Sequence, residues 1–141
     1  MLKMPHWDPP EDMAQALVGG EGIWEDERWS PILLTAMSGS AHQGRAIPIV
    51  WQIEFDPTEE ACERANASLA EMGVEPDGYG WGEFIRSTIR GGNSGLAERL
   101  HITDCERGTC VVWVESEDDC RMLLEATWQL FFASDGTTSA G

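Results

Sequence analysis

Apolar and polar residues alternate most clearly over residues 47–55. Ile49, Trp51, Ile53 and Phe55 fall on one side of an extended chain, and Val50, Gln52 and Glu54 fall on the other. A period of two marks a strand with one buried face. The polar second side predicts that this strand is only half covered. Pro48 cannot donate to a ladder, so it belongs at the strand's start or at an edge. Residues 32–37 are mostly apolar and fit a buried strand. The small-residue loop 38–45 joins the two, which predicts an antiparallel pair.

The period then changes. Asp56, Pro57 and Glu59 resemble a capped helix start. Ala61, Cys62, Ala65, Leu69 and Met72 make an apolar stripe, with acidic residues largely off it. Gly73 stands where a left-handed end residue is wanted, and Val74 where a Schellman end places an apolar contact. Next comes Asp77-Gly78-Tyr79-Gly80-Trp81-Gly82, which reads as a shaped turn because glycine permits angles that side chains forbid. Trp81, Phe84, Ile85, Thr88 and Ile89 follow at helical spacing, the glycines at 91–95 interrupt, and a second helical piece covers 96–100. Residues 102–105 and 110–115 read as a hairpin. Ser116 caps a last helix, with Glu117, Asp118 and Asp119 at its positive end and Cys120, Leu123, Leu124, Thr127 and Phe131 on its inner stripe.

Strand, strand, helix, helix, strand, strand, helix predicts a single α+β domain, a mainly antiparallel sheet with helices packed on one side. Its expected bounds are 29–133. Residues 1–28, with Pro5, Pro9, Pro10 and a short helical run at 12–18, are expected as an arm, weakly structured or docked. Residues 134–141 are expected as a disordered tail.

Composition narrows the function classes. The chain has 141 residues and a net charge of -16, from 25 acidic against 9 basic residues. Such a surface repels nucleic acid and anionic membranes and favours basic partners. The longest apolar run falls short of the ~18 residues of a span, and the N-terminus has no secretory signal pattern. The expected location is therefore cytoplasmic. Seven tryptophans are present, and tryptophan packs in cores or at interfaces. Trp51, Trp113 and Trp128 sit on well-patterned elements and are expected in the core. Trp7, Trp24 and Trp29 lie in weakly patterned segments and are the better interface candidates.

No catalytic constellation assembles from spacing, and no metal or cofactor is expected. His6, His42 and His101 have no partner in a ligand spacing. The glycine-rich loops lack a phosphate-binding lysine. Cys62, Cys105, Cys110 and Cys120 form no Cys-x-x-Cys pair. Cys105 and Cys110 flank a four-residue loop and could face each other; the expected compartment favours thiols over a disulfide. A small enzyme using His101 and Cys105 stands as one alternative, and a regulatory or adaptor domain as another.

At Gly78-Tyr79-Gly80-Trp81 the chain resembles the Immunity protein 51 family of bacterial polymorphic-toxin systems, in which a Gly-x-Gly-Tyr-x-Trp-like turn opens a helix followed by a strand pair and a closing helix. The resemblance covers roughly residues 30–133. Asp77 stands in place of a first glycine and Gly80 in place of an acidic residue. The resemblance implies a non-catalytic cytoplasmic protein that neutralises a cognate toxin. Joined to the acidic charge, it implies a basic toxin, a nuclease among the candidates. Trp24, Glu25, Asp26, Glu27, Trp29, Asp77 and Tyr79 are the candidate contacts; Gly78, Gly80 and Trp81 are expected to define the fold.

Overall fold

The computed structural model describes residues 4–19, 22–38, 48–102 and 105–140, and side chains as far as residue 132. The loop with His42, the glycine at 20 and residues 103–104 of the expected hairpin lie outside the described residues. The elements run α1 (Met13–Gly19), β1 (Ile23–Asp26), β2 (Leu33–Ser38), β3 (Ile49–Phe55), α2 (Glu63–Glu71), α3 (Gly78–Gly92), α4 (Ser94–Arg99), β4 (Cys110–Val114) and α5 (Glu117–Ala140). The chain is an α+β domain built on a four-stranded antiparallel sheet in the order β1-β2-β3-β4.

The register places Leu34 opposite Ile53 and Ile53 opposite Val112, and it places Ala36 opposite Trp51 and Trp51 opposite Val114. These residues share one face. The main hydrophobic cluster takes that face and residues from all five helices, including Leu17, Leu69, Trp81, Leu96 and Leu123. The helices therefore cover one side of the sheet, as the order of elements predicts. The other face is less open than its polar pattern suggests. Thr35 lies opposite Gln52 and Gln52 opposite Trp113, all three buried, and the His101 ring stacks on Trp113 at 3.8 Å.

Residues 4–19 and 22–28 pack against this core. β1 is a full partner of β2, with Trp24 opposite Ala36. Met13 and Leu17 of α1 are buried, and the Trp7 ring lies 6.1 Å from that of Trp51. The β1–β2 pairing carries the sheet across the boundary expected at residue 29. At the other end α5 continues to Ala140, where a disordered tail was expected. That stretch holds no proline, so nothing sterically stops the helix.

The start of α2 differs from expectation. Asp56 accepts from the Thr58 amide and hydroxyl, which also holds its carboxyl below the usual carboxylate range. This closes a local turn, and a short 3-10 turn at Glu60–Cys62 follows before α2 begins at Glu63. Ala61 and Met72, placed on the inner stripe by spacing, are exposed. The end of α2 follows expectation: Gly73 has φ +81, its amide donates to the Ala70 carbonyl, and the Val74 amide donates to Leu69. Of the expected hairpin, two isolated bridges are seen, His101 with Trp113 and Glu106 with Thr109.

Candidate partner-binding surface

The glycine-rich stretch is not a turn. It is the first turn of α3, capped by the Asp77 carboxylate, which accepts from the Gly80 amide at 2.9 Å. The glycines serve close approach rather than unusual backbone angles. A Cβ on Gly78 would meet the backbone carbonyls of Glu106 and Thr109. One on Gly80 would meet the carbonyl of Glu75, and one on Gly82 would press on Ile102 at 2.5 Å and the Cys105 sulfur at 3.3 Å. The helix is thus seated on the 105–110 loop, and the Gly78 amide donates to the Arg107 carbonyl at 3.1 Å. That seating drives Trp81 into the core. Its ring stacks on Phe131 at 4.8 Å and meets Phe55 edge-on at 5.3 Å, and its indole N–H donates to Asn66 at 2.7 Å.

The sequence candidates do not form one patch. Trp29 is a correction: it is fully buried, edge-on to Trp128 at 5.8 Å, and cannot contact a partner. Asp26 is also buried. Arg28 grips its carboxylate with Nε at 3.0 Å and Nη2 at 2.6 Å, and this holds the Asp26 carboxyl below the usual range. Trp24 is half-buried against the core, and Glu25 and Glu27 are exposed on and just after β1. Tyr79 is 57% exposed and Asp77 half-buried at the start of α3. β1 is one edge of the sheet, whereas α3 packs against β4 at the other.

Sequence spacing missed a different surface. A groove of about 650 Å³ has Ile49 and Trp51 on its floor and Glu11, Asp12, Glu115 and Glu117 around it. Glu115 also lines a second groove of about 570 Å³, with Glu98, Arg99, His101, Ser116 and Asp119. The two together carry six carboxylates and one guanidinium. That guanidinium is engaged: Arg99 reaches both Asp119 oxygens, at 2.7 and 2.9 Å, and holds the Asp119 carboxyl below the usual range. The Trp7 indole donates to Glu117 at 3.1 Å, and His101 Nε2 lies 3.3 Å from Glu115. A negative trough with an apolar floor suits lysine or arginine side chains, whose stems are apolar and whose heads are charged.

The His101 and Cys105 pairing does not form a dyad. His101 turns to Glu115 and Trp113, and Cys105 turns to Cys110 and the Val111 backbone. Burial raises the Cys62 thiol to about 12, and burial likewise raises Cys120. Among the described residues no group of three metal-ligating side chains occurs, and no helix is long and apolar enough to cross a membrane. Compared with known proteins, the chain matches no family model, no curated protein and no solved structure.

Proposed function

We propose that this chain is a non-catalytic immunity protein that binds a basic toxin domain and blocks it, acting in the cytoplasm of the cell that makes the toxin. The observation that carries the reading is the pair of grooves that share Glu115, both lined by carboxylates and one of them floored by Ile49 and Trp51. The resemblance at Gly78–Trp81 supports the same class. A nuclease is the toxin type this charge fits, because a site that holds phosphates is basic and an acidic trough competes for it. Blocking needs no bond-making step, only a shape and a potential that cover the toxin's site.

The test is binding to the toxin domain encoded beside this chain, measured by calorimetry at low and high salt. Glu115→Lys and Glu98→Lys are each expected to weaken binding about tenfold, and raising salt from 50 to 300 mM by at least as much. Affinity unchanged by both reversals and by salt overturns the acidic groove as the contact. Retention of an unrelated host protein, with no affinity for the toxin, replaces the immunity reading with that of an adaptor.

A further inference from the structure

The loop that seats α3 carries two thiols at its base. Glu106 and Thr109 exchange both backbone hydrogen bonds, at 2.8 and 3.2 Å. Directly outside that exchange stand Cys105 and Cys110, the place of a non-hydrogen-bonded cross-strand pair, where side chains approach most closely. Their sulfurs are 3.9 Å apart. A pair in that position has the Cα and Cβ separations that a disulfide needs, and closing to a bond of about 2.05 Å asks for a shift of under 2 Å shared by two side chains. Both cysteines are buried, Cys105 at 8% exposure and Cys110 at 0%.

We propose that Cys105 and Cys110 are a modification site, a dithiol that peroxide oxidises to an intrachain disulfide which staples the loop under the start of α3. The Cys105 thiolate attacks one peroxide oxygen, the O–O bond breaks, and the departing hydroxide takes a proton to leave as water. Cys105 then carries a sulfenic acid. The Cys110 sulfur attacks the Cys105 sulfur, the S–O bond breaks, and the second oxygen leaves as water. Two thiols and one hydrogen peroxide become one disulfide and two waters. Cys105 is the first to react because it is the less buried, and hydrogen peroxide is small enough to reach it. Its hydrogen bond with the Cys105 sulfur, which holds the protonated form, together with burial keeps the Cys110 thiol far above the ordinary range. The second step therefore depends on proximity, and the modification is slow and structural rather than a rapid sensor.

The staple acts on α3 through two contacts. The Gly78 amide is bonded to Arg107 inside the loop, and Gly82 faces the Cys105 sulfur. Fixing the loop fixes the surface on which the helix starts.

The sequence supplies its own readout. Trypsin cuts after Arg99, Arg107 and Arg121. Cys105 and Cys110 therefore fall in separate peptides, 100–107 and 108–121, that only a disulfide keeps joined. The full chain is reduced, exposed to hydrogen peroxide, alkylated and digested. The expected results are loss of two of the four thiols, a joined peptide pair, and a Tm about 5–8 °C above the reduced chain. Cys120 shares the second peptide, so Cys120→Ala must keep the join, and Cys105→Ala must abolish both the join and the Tm rise. Slower amide exchange at Gly78 in the oxidised chain is also expected. Four alkylated thiols after peroxide overturns the proposal. So does Cys105 carried to the sulfinic acid without a join, or a join that vanishes in Cys120→Ala. If Cys105→Ala does not fold, digestion of the wild-type and Cys120→Ala chains alone decides.

Discussion

α3 contains glycines of two kinds, and replacing each with alanine should move stability in opposite directions. By helix propensity alone, alanine is better than glycine by up to ~1 kcal/mol at an interior position. Gly91 has nothing within 4 Å of an added Cβ, so Gly91→Ala should stabilise by about 0.5–1 kcal/mol. At Gly78 the added carbon would enter the carbonyls of Glu106 and Thr109, which are backbone atoms held by their own hydrogen bonds. Overpacking costs about 1–3 kcal/mol where side chains can yield. Here the backbone must move, so the upper end applies. The propensity gain is small in a first turn, and Gly78→Ala should destabilise by about 2–3 kcal/mol net. Urea unfolding with a common slope measures both. Two variants of one helix with opposite signs support the seating of α3 on the loop. A neutral or stabilising Gly78→Ala refutes it and restores the reading of this stretch as a free-standing turn.

The same core makes further demands. Trp81→Ala should cost about 3–5 kcal/mol, because it empties a site between Phe55 and Phe131 and leaves the Asn66 oxygen unpaired; unchanged thermal stability counts against it. Tyr79→Ala should leave stability within about 0.5 kcal/mol, since this ring is largely in water; a lost partner with intact Tm marks Tyr79 as a contact. Asp119 is held below the carboxylate range by Arg99, so its contribution is present above about pH 4 and is lost as pH falls through the lowered value. Arg99 is half in water, which limits that contribution to about 1 kcal/mol. Acid unfolding of Asp119→Asn should therefore differ from wild type at pH 7 and converge with it towards pH 2.

What the sequence made legible followed the strength of each local signal. β3 was readable because four alternate residues are large and apolar, and α5 because Ser116 and three acids mark its start. The end of α2 was readable from one glycine. α1 was readable as a short helical run at 12–18, but its place in the core was not, and β1 is too short to repeat its pattern. Trp29 was misjudged for the same reason: it follows β1 in a segment without period, yet it is enclosed against Trp128. The start of α3 failed differently. Glycine serves left-handed angles and close approach alike, and the residues that make close approach necessary lie some 30 positions downstream, at Glu106 and Thr109. The second face of the sheet failed in its turn because Gln52 and Thr35 are polar, which reads as solvent, although Trp113 lies beside them in the same buried row.

The acidic groove was invisible for a geometric reason, and geometry also says which of its charges can report on binding. Glu11 and Asp12 precede α1, Glu115 follows β4, and Glu98 lies in the last turn of α4; no spacing rule joins them. Three of the six carboxylates already serve the fold. Asp12 caps α1 by accepting from the Gln15 amide at 3.1 Å, Asp119 holds Arg99, and Glu117 accepts from Trp7 at the positive end of α5. Reversing any of these confounds lost affinity with lost stability. Glu11, Glu98 and Glu115 are exposed and cap no helix, and the pairing of Glu115 with His101 is itself largely in water, so their reversal changes the potential of the groove with little change in the domain. If a partner reads the groove, those three substitutions weaken binding at constant Tm, and they do so less at high salt, where the potential is screened. Weakening confined to the Asp12, Glu117 and Asp119 variants would instead trace the effect to the scaffold and leave the groove without a role.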